Sequence, residues 1–145
     1  MKTAGYSRCG RTDKGVNALG NVISLHVRSR EGHRLGEFNY VDILNRILPK
    51  DIRIMGMVEV PEAFDARFSC IYREYKYFFS GEGLDLELMK YACLKFIGNH
   101  DFRNFCKMDV VNVSNFIRRV LSFRIEQMPS GILVATIRGF AFLWH

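Results

Sequence analysis

Apolar and polar positions change period several times along this chain, and each change marks an element. Over 21–27 they alternate: Ile23, Leu25 and Val27 fall on one side of an extended backbone, Ser24 and His26 on the other, which predicts a strand. Residues 28–38 are polar and predict an exposed loop bearing Arg28, Arg30, His33 and Arg34. Tyr40, Ile43, Leu44, Ile47 and Leu48 then recur at helical spacing, and Pro49 ends that helix. Alternation returns over 51–60, with Ile52, Ile54, Val58 and Val60 on one face. After a connection over 61–68, residues 70–79 read as a strand rich in β-formers. Ile71, Arg73, Tyr75, Tyr77 and Phe79 share one of its faces; Cys70, Tyr72, Glu74, Lys76 and Phe78 share the other.

Residues 85–97 predict a second helix, with Leu86, Met89, Cys93 and Phe96 or Ile97 inward and Gly98 at its stop. The mixed stretch 100–109 predicts a loop in which Phe102, Arg103, Asn104 and Phe105 pack against the sheet and His100 is a hydrogen-bonded residue rather than a general base. Residues 116–126 form a strand burying Ile117, Leu121, Phe123 and Ile125, with Arg118 and Arg124 opposite. Pro129-Ser130-Gly131 turns the chain into a last strand over 132–140, giving a hairpin. The order strand, helix, strand, then strand, helix, strand, strand predicts an α+β fold. Its sheet is mostly antiparallel with helices on one face, in two ferredoxin-like halves.

Composition narrows the partners. The 145 residues carry a net charge of +6 and are 48% hydrophobic, so a packed core is expected and the charge favours anionic partners, nucleic acid first. No apolar run is long enough to span a bilayer, and the first residues lack a signal-peptide apolar region. Cys9, Cys70, Cys93 and Cys106 form no CxxC pair and have no His at ligand spacing, which favours thiols over zinc or disulfides.

The densest chemistry lies in Arg8-Cys9-Gly10-Arg11-Thr12-Asp13-Lys14-Gly15-Val16. Glycines bracket a lone carboxylate, Asp13, set between Arg11 and Lys14. Such a loop suits a nucleophile or base meeting a polyanion, but spacing alone favours the plainer reading, a salt-bridged surface turn. Three further blocks follow in order. They are Ala66-Arg67-Phe68-Ser69 with Arg73-Glu74-Tyr75-Lys76-Tyr77, then 100–109, beginning His100-Asp101-Phe102-Arg103-Asn104-Phe105, and finally Gly139-Phe140-Ala141-Phe142-Leu143-Trp144-His145.

Together these blocks resemble the four motifs of the TruA family of tRNA pseudouridine synthases, and the first and third are worded most like its eukaryotic branch. Lys14 and Asn17 stand where the commonest bacterial wording has Ala and His. The resemblance implies an isomerisation of uridine to pseudouridine that needs no cofactor and no metal. It implies Asp13 as the essential carboxylate, acting on the sugar as a nucleophile or through proton transfer. It implies Arg11 as the residue that pairs with it and fills the space of the flipped base, and Tyr75 as the active-site tyrosine. Arg67, Arg73 and Lys76 are candidates for phosphate contacts.

The branch resemblance further implies tRNA as partner, at positions 38 and 39 of the anticodon stem-loop, and a homodimer in the full-length form. The compartment is expected to be intracellular: nucleus, cytoplasm or mitochondrion. Family members begin earlier and continue past the last block, so the chain is expected to be a partial catalytic domain, with residues 1–60 as the first half and 61–145 the start of the second. The competing readings are a non-catalytic RNA-binding module, with Tyr72, Tyr75 and Tyr77 as a stacking sheet, and an inactive fragment of a synthase.

Overall fold

A computed structural model describes residues 4–28, 38–107 and 113–143. The loop expected over 28–38 lies almost wholly outside those residues, as do the end of the third block and the last residues of the fourth. The chain divides into two compact units, Met1–Ser69 and Cys70–His145.

The first unit is built on a short ladder. Strands β1 (Ser7–Arg8) and β2 (Ile23–Ser24) pair antiparallel, Ser7 opposite Ser24 and Arg8 opposite Ile23. Two bonds extend the pairing: the Cys9 amide to the Val22 carbonyl at 2.8 Å and the His26 amide to the Ala4 carbonyl at 2.7 Å. The ladder is thus shorter than the strand expected over 21–27.

Helix α1 (Tyr40–Ile47) follows the predicted periodicity. Asn39 caps it by accepting the Asp42 amide at 3.1 Å, and Pro49 follows its C-cap Leu48. Residues 51–60 do not form the expected strand: they join no ladder among the described residues. Alternation signals extended backbone with one apolar face, but a strand also needs a neighbour to bond. What fixes this segment is Asn45 on α1, whose side chain donates to the Ile54 carbonyl (2.9 Å) and accepts the Ile54 amide (2.8 Å).

The second unit is α+β. Strands β3 (Arg73–Ser80), β4 (Gly98–Asp101), β5 (Ile117–Gln127) and β6 (Ile132–Gly139) form one antiparallel sheet in the order β3-β6-β5-β4. Helix α2 (Leu86–Lys95) is capped by Asp85, which accepts the Leu88 amide at 2.9 Å. It lies on one face of the sheet, where Cys93, Ile125 and Leu133 are buried with Phe79, Leu86, Met89, Phe123 and Ala135 packed around them. The β5–β6 hairpin turns at 128–131, as the Pro-Ser-Gly signal predicts.

Two expectations fail here for physical reasons. The 100–109 stretch is not all loop: His100 and Asp101 pair with Arg118 and Ile117 in β4, and a short 3₁₀ turn follows at Arg103–Phe105. Of the four residues expected to pack, Phe102 is half-buried and stacks on Phe96 at 6.1 Å, and Phe96 sits edge-on to Phe123 at 5.7 Å; Phe105 touches Phe96 at 5.6 Å but stays exposed, as do Asn104 and Arg103, which pairs with Asp101. His100 is hydrogen-bonded, to the Ile97 carbonyl at 2.9 Å. In β5 a bulge falls between Val120 and Ser122, so Val120 faces Gly139 while Phe123 faces Ile137. The extra residue reverses the alternation. Val120 is therefore buried, Ile117 is exposed, and Arg118 shares a face with Phe123 instead of with Arg124.

Candidate active site

The Asp13 loop is the connection between β1 and β2. Its base is closed by side chains that no periodicity announces. The Cys9 thiol donates to Asn21 Oδ1 at 2.9 Å, Asn21 Nδ2 donates to the Gly10 carbonyl at 3.2 Å, and Cys9 Sγ accepts the Val22 amide at 3.2 Å. At the tip the Val16 amide bonds the Asp13 carbonyl at 3.0 Å, forming a tight turn. Gly15 takes φ +86° in that turn, a region L side chains rarely adopt, which explains a glycine two residues after the carboxylate. Arg11 and Asp13 are both exposed on this loop, and among the described residues neither side chain forms an ion pair within it.

Arg67 lies in the same unit, on a turn at 65–69 that docks against the foot of the hairpin. One oxygen of Asp65 accepts from the Ser7 hydroxyl (2.7 Å), the Arg67 amide (2.8 Å) and the Phe68 amide (3.0 Å). The Ser7 hydroxyl bond, with the two amides, holds the Asp65 carboxyl below the usual carboxylate range. Ser24, directly opposite Ser7, accepts the Ala66 amide at 3.1 Å, and Ala66 is buried. The Arg67 guanidinium sits over the Phe68 ring at 5.1 Å.

Tyr75, Arg73 and Lys76 lie in the second unit, on β3. The Tyr75 ring meets Phe142 edge-on, with centroids 5.0 Å apart and planes at 89°. Arg73 donates from Nη1 to the Phe140 carbonyl at 2.6 Å. Gly139, the cross-strand partner of Arg73, makes this arrangement possible: a Cβ there would come within 3.0 Å of the Arg119 carbonyl and 3.1 Å of the Phe142 ring. The fourth block is thus the support for the tyrosine of the second.

Strand alternation puts Lys76 on the other face, beside Thr136. There Glu74 takes two bonds from Arg138, at 3.0 and 2.7 Å, and Arg138 covers Tyr72 at 4.3 Å. The Arg138 bond lowers the Glu74 carboxyl. The structure therefore groups Arg11 and Asp13 on one loop and Arg73 with Tyr75 on one sheet face, and leaves Lys76 on the opposite face.

Sequence reasoning missed Ser7, Ser24, Asp65, Cys9 and Asn21 as supports of the loop. The only signal was small polar residues in the strands that flank it. The four cysteines are all thiols, and burial pushes the Cys93 thiol up. Among the described residues no group of His, Cys, Asp or Glu side chains is arranged to hold a metal ion, and no helix is long and apolar enough to cross a membrane.

The amino-acid sequence is similar to known proteins over nearly its whole length. A family model described as tRNA pseudouridine synthase matches residues 92–145. Over 99% of its length the chain is 44% identical to human tRNA pseudouridine(38/39) synthase, of which it covers 36%. Over 97% it is 47% identical to the protein of the same name from Saccharomyces cerevisiae, of which it covers 34%. Over its whole length it is 38% identical to tRNA pseudouridine synthase A of Thermococcus sibiricus, of which it covers 51%. Over nearly its whole length the chain is thus similar to tRNA pseudouridine synthases. It spans about a third of the length of the eukaryotic relatives.

Proposed function

We propose that this chain carries catalytic machinery of a tRNA pseudouridine synthase acting on uridines 38 and 39 of the anticodon stem-loop. The observation that carries the reading is 44% identity over 99% of the chain to a protein named for that activity, a span that includes the Asp13 loop. The reaction breaks the C1′–N1 bond of uridine and joins C1′ to C5. In the nucleophilic form the Asp13 carboxylate attacks C1′ and N1 leaves with the bonding electrons. The base turns, C5 bonds to C1′ as the carboxylate departs, C5 loses its proton and N1 gains one. Substrate and product have the same composition, so the route balances without a redox partner.

In this reading Arg11 occupies the gap left by the flipped base, and Tyr75 stacks on uracil and assists removal of the C5 proton. Arg67, Arg73 and Lys76 meet phosphates, consistent with the chain's net charge of +6. Residues 1–60 and 61–145 supply parts of the two halves of a synthase catalytic domain. The full-length protein acts on tRNA inside the cell, as a homodimer.

The test is conversion of an anticodon stem-loop transcript bearing uridine at 38 and 39, scored against transcripts with cytidine at either position. Pseudouridine confined to those two positions is the expected product. Tight binding without conversion, by this chain and by a form extended at both ends, would instead make it an RNA-binding module.

A further inference from the structure

We propose that Asp65 is a positioning residue for the Asp13 loop, acting with Ser7 and Ser24 to hold the turn that carries Arg67 against the stem of that loop. The geometry has two parts, and only one is local. Asp65 Oδ1 accepting the Arg67 and Phe68 amides, at 2.8 and 3.0 Å, is an Asx-type turn that a surface loop can form alone. The Ser69 hydroxyl accepting the Asp65 amide at 3.2 Å, and the Ser69 amide bonding the Asp65 carbonyl at 2.7 Å, close the same turn.

The remaining bonds reach far along the sequence. The Ser7 hydroxyl donates to the same Asp65 oxygen at 2.7 Å across 58 residues, and it accepts the Arg67 amide at 3.2 Å. Ser24 Oγ accepts the Ala66 amide at 3.1 Å across 42 residues. Ser7 and Ser24 are cross-strand partners in β1 and β2, so the turn is bonded to both strands of the stem at one level. Ala66, between these bonds, is only 2% exposed, so its amide would lose its partner if the turn lifted away. Shifting β1 against β2 would pull these bonds apart. The position of Arg67 and the geometry at the foot of the Asp13 loop are therefore coupled.

The RNA arm of the test rests on the functional reading above; the exchange arm does not. Amide hydrogen exchange is measured on the 145-residue chain and on its Asp65→Ala, Asp65→Asn and Ser7→Ala variants, with anticodon stem-loop affinity in parallel. Asp65→Ala is expected to speed exchange about tenfold at Arg67, at Phe68 and at Cys9, whose amide closes the stem. Asp65→Asn, which keeps an acceptor at Oδ1, is expected to return most of that protection. Ser7→Ala leaves the Asx turn intact and is expected to affect Cys9 and Arg67 but not Phe68; it carries the test if Asp65→Ala does not fold. Stem-loop affinity is expected to fall several-fold in Asp65→Ala and in Arg67→Ala, and no further in the double variant.

Faster exchange confined to Arg67 and Phe68, with Cys9 unchanged in both Asp65→Ala and Ser7→Ala, would overturn the proposal and leave a local turn. Additive affinity losses would overturn it as well. A chain that shows the exchange pattern but never converts uridine would sustain the positioning role and refute the enzyme reading alone.

Discussion

The two units of this chain are held by different forces. In residues 70–143 the sheet buries Cys93, Val120, Ile125, Leu133, Val134 and Thr136, and an eight-residue ladder joins β3 to β6. In residues 4–69 the only buried hydrophobic residue among those described is Ala66, and the structure rests on directional bonds: Ser7 to Asp65, Asn45 to Ile54, Cys9 to Asn21. The residues with the most distinctive chemistry, Arg11 and Asp13, sit in the unit held by polar bonds. Apolar burial is non-directional, whereas a loop that must present one carboxylate is fixed by bonds that work at one geometry. The stability of the sheet and the placement of the loop should therefore respond to different mutations.

The largest effect should come from the sheet. Leu133→Ala removes a buried side chain beneath Phe79 and α2 and should cost about 2–5 kcal/mol, read as a shift of the urea midpoint at constant slope. Ser7→Ala should cost about 1 kcal/mol by the same measurement. A larger loss from Ser7→Ala than from Leu133→Ala would reverse the comparison.

Gly139→Ala should rank next, at about 1–3 kcal/mol, because its Cβ would press on the Arg119 carbonyl and the Phe142 ring. Since Phe142 supports Tyr75, uridine conversion should fall as well. A drop in the melting temperature with conversion unchanged would separate Tyr75 from its support.

Acid should act on the polar unit by a defined route. The Asp65 carboxyl is lowered in the folded state by its bonds to Ser7, Phe68 and Arg67, so it binds its proton less readily there than in the unfolded chain. Its contribution is fully present above the ordinary carboxylate value near pH 4 and is lost as pH falls through the lower folded value. The Arg67 and Phe68 amide resonances should hold their positions from about pH 8 to 5 and move only in acid. Titration of those amides near neutrality would contradict the assignment. The smallest effect is expected from Lys90→Ala, which breaks an exposed pair with Glu87 and should change stability by less than about 0.5 kcal/mol.

The same division explains what could be read in the sequence. α1, α2, β3 and the β5–β6 hairpin follow apolar period and turn residues, and those signals are local. The bulge in β5 left a trace: Val120 is apolar where strict alternation from Phe123 and Ile125 demands the opposite face. β4 left almost none, because His100 and Asp101 are polar and join the sheet through backbone bonds to Arg118 and Ile117. Residues 51–60 show the converse, an alternating pattern with no strand to pair among those described. Among the candidate residues, Asp13 and Arg11 in the first unit and Tyr75 in the second are singled out because their wording resembles a known motif. Ser7, Ser24 and Asp65 are not, since bonds spanning 58 and 42 residues follow no period.

The central claim is that Asp13 performs the chemistry on a loop whose loss of function leaves the fold intact. It is tested most directly by single-turnover conversion of the anticodon stem-loop by Asp13→Asn at saturating protein, with melting and binding measured on the same preparation. The account predicts a rate reduced by at least about 10³-fold with unchanged melting temperature and affinity. Conversion at the parent rate would contradict it.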